Sequence, residues 1–454
     1  MMSTYELGRQ PVHVSSPASA IRGEGHEVEV VDLAVDDFEV NAVDRIDAVA
    51  ISVPMHTATR LALMAATEIK ARRPDLPVAL YGLYAGVPES SAARSIDAAF
   101  AGEYEPDLLS WISELSAGGS ASAGSSRTGR SDFHVPDREG LPPLESYARL
   151  EFAGATRLAA AVEASHGCRH RCRHCPIPAV YDGRMRVVPK DVVLADIDQL
   201  VASGAQHITF GDADFLNAPR HSLDLLAAAH SAHPDLTFDA TIKVSHIIEQ
   251  EELWPELADL NMLFVISAFE SVDNKTLEIL DKGHTVSDMS RASEIVRSAG
   301  VYIRPTWLPF LPWTTPADIA SIFDFIGQQG LADATDPVQM SIRLLIPRGS
   351  LLEAHPAVSQ HLTGYDDSAL TWRWDFADPD TAVLHKELEA IAANASDCGQ
   401  EVGVTLEEMR QAVSRRSGRE LDTVAPGEPV PRLTESWFCC SEPTEAQSVS
   451  IRLG

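Results

Sequence analysis

Leu158-Ala159-Ala160-Ala161-Val162-Glu163-Ala164-Ser165-His166-Gly167-Cys168-Arg169-His170-Arg171-Cys172-Arg173-His174-Cys175 runs from an apolar strand straight into three cysteines with the spacing C-x3-C-x2-C. A continuous apolar run of this length, closed by glycine, predicts a buried parallel strand from Leu158 to Ala164. Further strands are predicted at His207 to Phe210, Thr237 to Ile242, Met262 to Ser267, Tyr302 to Leu308 and Val338 to Leu345. Helical spacing lies between them, as in Lys190 to Ala202 and Ser287 to Ala299. Six strand–helix units in fewer than about 200 residues predict a partial (β/α)6 TIM barrel, with its working face at the C-terminal strand ends. The cysteines follow the first of those ends.

Three closely spaced thiolates suit a [4Fe-4S] cluster with one iron left open. They also suit zinc, with His170 or His174 as a fourth ligand. Arg169, Arg171 and Arg173 would be costly to bury as plain core. They are expected to lower the thiol pKa values and to form a positive island in a chain of net charge -30.

With its loop after the first strand of a partial barrel, residues 155 to 350 resemble the radical SAM superfamily. The resemblance implies a [4Fe-4S] cluster on Cys168, Cys172 and Cys175, with S-adenosylmethionine (SAM) on the open iron. His174 stands where an aromatic residue is usual. After the second strand, Gly211 and Asp212 loosely match the turn that receives the SAM ammonium group, although Gly and Asp also suit an ordinary turn. Lys243, Ser267, Glu270 and Arg343 are further candidates at strand ends. Lys243 and Arg343 suit the SAM carboxylate or a substrate anion, or a plain salt bridge to Glu270. Asp281-Lys282-Gly283-His284 reads as a surface turn. Trp307 to Trp313 could line a substrate pocket or simply pack.

Length, 454 residues, suggests two or three domains, and 45% hydrophobic with 22% charged residues is an ordinary globular composition. With 66 acidic against 36 basic residues, nucleic acid is not an expected partner. Residues 1–115 alternate strand and helix, predicting an α/β, doubly wound Rossmann-like domain. Met1 to Glu6 is short for a first strand with a lead-in. Residues 116–131, SAGGSASAGSSRTGRS, read as a flexible linker. The barrel is expected over 132–360 and a mixed extension over 361–454. The first domain resembles the cobalamin-binding domain that precedes many radical SAM cores. Ser52 to His56 and Tyr81 to Ala85 sit where its cobalamin loops sit, while the Asp-x-His-x-x-Gly motif for an axial histidine is absent.

Six cysteines are too few for a disulfide scaffold. Cys398 has no evident assignment, and Cys439-Cys440 are adjacent in the tail. Vicinal thiols strain a mutual disulfide but suit a soft metal or metalloid, or a redox relay. Trp437-Phe438 would dock them at the barrel mouth. Cys439-Cys440-Ser441-Glu442-Pro443 resembles a radical SAM family whose tails read Cys-Cys-Ala-Glu-Pro. That resemblance implies transfer of the 3-amino-3-carboxypropyl group of SAM to arsenite, as in arsinothricin biosynthesis. Cys439 and Cys440 would then hold the arsenic, and a flavodoxin- or ferredoxin-type reductant would supply electrons. A cobalamin-dependent methyltransferase is the alternative. No run of 18 apolar residues and no signal peptide is present, so a cytoplasmic protein without a membrane partner is expected.

Overall fold

The computed structural model describes residues 1–36, 40–86, 94–119, 123–130, 132–423 and 429–435. Cys439, Cys440 and the Trp437-Phe438 anchor lie outside these residues.

The first sheet has six parallel strands: β1 (Met2–Ser3), β2 (Val31–Asp32), β3 (Val49–Ser52), β4 (Val78–Tyr81), β5 (Ala98–Gly102) and β6 (Ala123–Arg127). Their order is β2-β1-β3-β4-β5-β6. Every residue of β3 and β4 is buried, because helices cover both faces. Ala62, Ala66 and Ile69 of helix His56–Arg72 pack on Ile51, Val78 and Leu80. Helices Val12–Gly23 and Glu105–Ser116 bring Ile21, Leu108 and Trp111 onto Ala50, Ala79 and Tyr81. The strand order reverses between β1 and β3, the switch point beyond which such sheets bind ligands.

The expected linker over 116–131 needs correction, since residues 123–127 form the edge strand β6. An edge strand pairs through its backbone on one side and needs no apolar side chains. Ser125 Oγ donates to Asp107 at 2.5 Å, and Arg127 pairs with the same carboxylate at 2.6 Å. Gly102, at φ +76°, lets the chain pass there: a Cβ would overlap the Arg127 carbonyl oxygen.

The second sheet starts with the hairpin β7 (Arg149–Phe152) and β8 (Ala155–Val162). A short hairpin, β9 (Ser165–Gly167) and β10 (Met185–Val187), then pinches off the cysteine loop. The sheet continues in parallel through β11 (His207–Phe210), β12 (Thr237–Thr241), β13 (Met262–Glu270) and β14 (Tyr302–Trp307). After a separate hairpin, β15 (Leu362–Asp366) with β16 (Thr371–Trp374), the chain returns as β17 (Arg432–Leu433). The order is β14-β13-β12-β11-β8-β7-β17, a curled half-barrel. Ile208, Phe210, Phe238, Ala240, Val265 and Phe269 join the helix-packed core. By the two-residue period, Thr209, Thr241, Ala268 and Glu270 face inward. Capping boxes start helices Val286–Ser298 (Thr285 with Asp288) and Pro316–Gln329 (Thr315 with Asp318).

The sixth strand, expected over Val338 to Leu345, is reduced to one parallel bridge between Phe310 and Arg343. Pro337–Ser341 instead coils into a 3-10 turn, with proline near its start. The Gln339 side chain accepts from the Trp307 amide at 3.2 Å, standing in for a strand carbonyl. Among the described residues no helix is long and apolar enough to cross a membrane.

Candidate active site

The cysteine loop is held at its base and along its length. Cys168 N donates to Arg184 O at 3.1 Å, and Arg173 N to Leu280 O at 2.9 Å. Gly167, at φ +77°, makes the turn into it, and a Cβ there would come within 2.5 Å of Arg184 O. Among the described residues none of Cys168, Cys172 and Cys175 is in a disulfide. All three line one cavity of ≈ 140 Å³ at the strand ends. Cys168 Sγ accepts from Asn217 Nδ2 at 3.4 Å and from the His170 amide at 3.5 Å, the N–H donors that a cluster sulfur needs. This donor set fits a cluster.

The expected effect of the arginines is not seen at Cys168. Burial pushes the Cys168 thiol up to about 11. The guanidinium groups point elsewhere: Arg169 to Met185 Sδ, Arg171 to Asp182 at 3.0 Å, and Arg173 to the Glu278 and Ile279 carbonyls. Ionisation of an empty thiol is therefore opposed, and a bound metal would supply the compensating charge.

The predicted contact residues divide between two cavities. Lys243 and Glu270 line the cysteine cavity. Lys243 Nζ lies 3.1 Å from His170 Nδ1 rather than against Glu270. Gly211 and Asp212 line a second cavity. Asp212 is already engaged, accepting from Ala164 N at 2.9 Å and Ser165 Oγ at 2.5 Å, and burial raises its pKa to about 7. Ser267 faces the helices, on the same face of β13 as Val265 and Phe269, and the strand runs three residues further than predicted, to Glu270. Arg343 lies outside both cavities: its guanidinium stacks 4.0 Å over Trp374 and donates to the Trp374 carbonyl. Arg304 pairs with Asp336 at 2.6 Å.

Two residues escaped the sequence reading. Asp214 is buried and lines the cysteine cavity. His246 Nδ1 lies 2.7 Å and His170 Nε2 3.6 Å from its Oδ2, and Lys243 N donates to its Oδ1 at 3.4 Å. Burial works against its charge, but the two histidines outweigh it and hold its pKa below the usual value. Such an acceptor suits a cationic ligand group. Lys282, read as a surface turn, is buried against Glu270 at 3.2 Å.

The second cavity, ≈ 210 Å³, lies between the domains. Glu6, Arg9, Pro54 and Met55 contribute from the switch point of the first sheet, and Glu163, Gly211 and Asp212 from the barrel. Cys175, Ile177, Ala213 and Thr241 line both cavities. Glu163 bridges two histidines: His13 Nε2 at 3.3 Å and His166 Nε2 at 3.4 Å. Their other nitrogens meet Glu6 at 3.0 Å and Glu103 at 3.3 Å. Burial favours neutral groups here, but the opposite charges outweigh it. His13 rises to about 9, His166 rises well above its usual value, and Glu163 falls to about 2. Neither imidazole has a nitrogen to spare.

Residues 162–326 match the family model of the radical SAM superfamily. A hopanoid C-2 methylase of Rhodopseudomonas palustris (strain TIE-1) is 24% identical over 196 residues, 41% of this chain and 36% of that protein. The chain thus spans little more than a third of that relative's length. The structure is similar to the cobalamin-dependent SAM radical enzyme OxsB with aqua-cobalamin bound. The TM-score is 0.63 at 14% identity, over 87% of this chain and 66% of that one. It is also similar to the radical SAM methyltransferase TsrM of Kitasatospora setae, with cobalamin and a [4Fe-4S] cluster bound. There the TM-score is 0.55 at 19% identity, over 72% of this chain and 70% of that one. At these identities the likeness is one of fold.

Proposed function

With residues 162–326 a radical SAM domain, we propose that the chain is a cobalamin-dependent radical SAM enzyme that transfers a one-carbon group of SAM to a small molecule. Cys168, Cys172 and Cys175 would hold the [4Fe-4S] cluster, and the inter-domain cavity would take cobalamin. The observation that carries this reading is the shared wall of the two cavities, formed by Cys175, Ile177, Ala213 and Thr241. A ligand at the switch point of the first sheet therefore abuts the space over the cysteines. When bound, the cluster supplies an electron to the SAM sulfonium and cobalamin supplies a methyl carrier. The chain's own part is to hold and orient. Asp214 accepts from the SAM ammonium group, Lys243 offers a cation for its carboxylate, and Asn217 donates to Cys168. Glu163, Asp212 and Ser165 fix the strand-to-loop junction beside them. A flavodoxin- or ferredoxin-type protein is the proposed electron donor.

A second reading is transfer of the 3-amino-3-carboxypropyl group to arsenite held by Cys439 and Cys440. One observation favours it. Tyr5 Oη donates to Glu435 at 2.8 Å, and Tyr5 directly precedes Glu6, a wall residue of the inter-domain cavity. Cys439 follows Glu435 by four residues, a reach of at most about 14 Å.

One incubation separates the two. The full chain, reconstituted with iron and sulfide, is given SAM and reductant, with and without cobalamin and with and without arsenite. S-adenosylhomocysteine that depends on cobalamin supports methyl transfer. 5′-Methylthioadenosine with a new organoarsenical supports the second reading. Neither product under any condition sinks both.

A further inference from the structure

We propose that Lys282, paired with Glu270, is a built-in electrostatic tuner whose charge makes the cluster on Cys168, Cys172 and Cys175 easier to reduce. The proposal rests on the cluster assignment above. Asp281 at φ +55° and Gly283 at φ +68° turn the chain so that Lys282 between them faces inward. Its side chain is only 4% exposed, and it lines the cavity that holds the three cysteines. A lysine seldom sits this deep without a partner. The partner is Glu270, whose Oε1 lies 3.2 Å from Lys282 Nζ and 3.1 Å from Nε2 of His174, within the cysteine loop.

Both members of the pair line the cavity with Cys168, Cys172 and Cys175, so each charge acts on a cluster held there, and with opposite sign. Glu270 is itself held at φ +65°, a backbone that a non-glycine residue rarely adopts, which turns its carboxylate back toward the loop. A cation lining that cavity stabilises the reduced state, which carries one more electron, and burial leaves that field poorly screened. Lys282 is a positioning and tuning residue rather than a catalytic one.

The test is an anaerobic redox titration of the reconstituted full chain, read by electron paramagnetic resonance, alongside iron content per chain. Lys282→Met is expected to load iron normally with its midpoint shifted to a more negative potential. Lys282→Arg should stay near wild type. Glu270→Gln should shift the other way, to a more positive potential. An unchanged potential in Lys282→Met, or shifts of the same sign in Lys282→Met and Glu270→Gln, overturns the proposal. If Lys282→Met does not fold, Lys282→Arg and Glu270→Gln decide, and equal potentials for the two overturn it. Absence of any cluster in the wild-type chain is a different failure, that of the underlying assignment, and removes the proposal with it.

Discussion

Asp212 and Asp214 stand two residues apart after β11 and do different work. Both oxygens of Asp212 are taken by Ala164 N and Ser165 Oγ, so it braces the junction between β8 and the cysteine loop. Asp214 lies in the cysteine cavity itself, its carboxylate beside His246 and His170. Asp214→Asn should therefore weaken SAM binding at least about tenfold, given roughly 1.5–3 kcal/mol for a hydrogen bond to a charged group. Asp212→Asn should leave SAM affinity within about twofold and lower the melting temperature instead. Calorimetric titration of the reconstituted variants checks both. The sequence displayed a Gly-Asp-Ala-Asp turn and pointed to its first carboxylate. Which one faces the cysteine cavity depends on contacts with other strands, and no local pattern carries that. Lys282 was hidden for the same reason. Asp-Lys-Gly-His has the composition of an exposed turn, and two left-handed residues reverse its direction.

Among the elements, the parallel strands were legible because apolar runs bounded by glycine announce burial on both faces. Their ends were less so. Because side chains alternate along β13, Ser267 shares the helix side with Val265 and Phe269, while the strand's further reach puts Glu270 in the cavity. The sixth strand failed because a glutamine side chain replaced a backbone partner. Directly after β8, Glu163 pairs with His13 and His166, and the signs of the shifts set a pH window. His13, raised from 6.5 to about 9, stabilises the fold fully below pH 6.5 and loses that effect as pH rises through 9. Glu163, lowered from 4.5 to about 2, contributes above pH 4.5 and loses its effect as pH falls toward 2. Glu163→Gln should cost roughly 2 kcal/mol between pH 5 and 6.5, less than the ~3–5 for a fully buried pair, because the His13 side chain keeps 27% exposure. The gap to wild type should narrow as pH rises through about 9, where His13 loses its proton, as read by thermal melts across pH.

On the scale of the molecule, two α/β layers could be read in advance, but not how they interlock. Arg138 shows how. It pairs with Asp196 at 2.8 Å and donates to Gln10 of the first domain and Ala161 O of the barrel, 8% exposed. Arg138→Met leaves Asp196 buried without its cation. It should cost about 3–5 kcal/mol and expose both domains to protease together, in one kinetic phase. Two separate phases on limited proteolysis would contradict this joint. Such contacts join residues 58 and 128 positions apart, beyond the reach of periodicity.

The glutamate between two histidines has a practical side. His166 sits two positions before Cys168, and its ring is fixed by Glu103 from the other domain and Glu163 from the barrel. The first domain and the entry to the cysteine loop thus share one set of contacts at His166. Whatever enters the space between the domains will register in the spectrum of a cluster on that loop, so the iron can serve as an intrinsic gauge of occupancy next door.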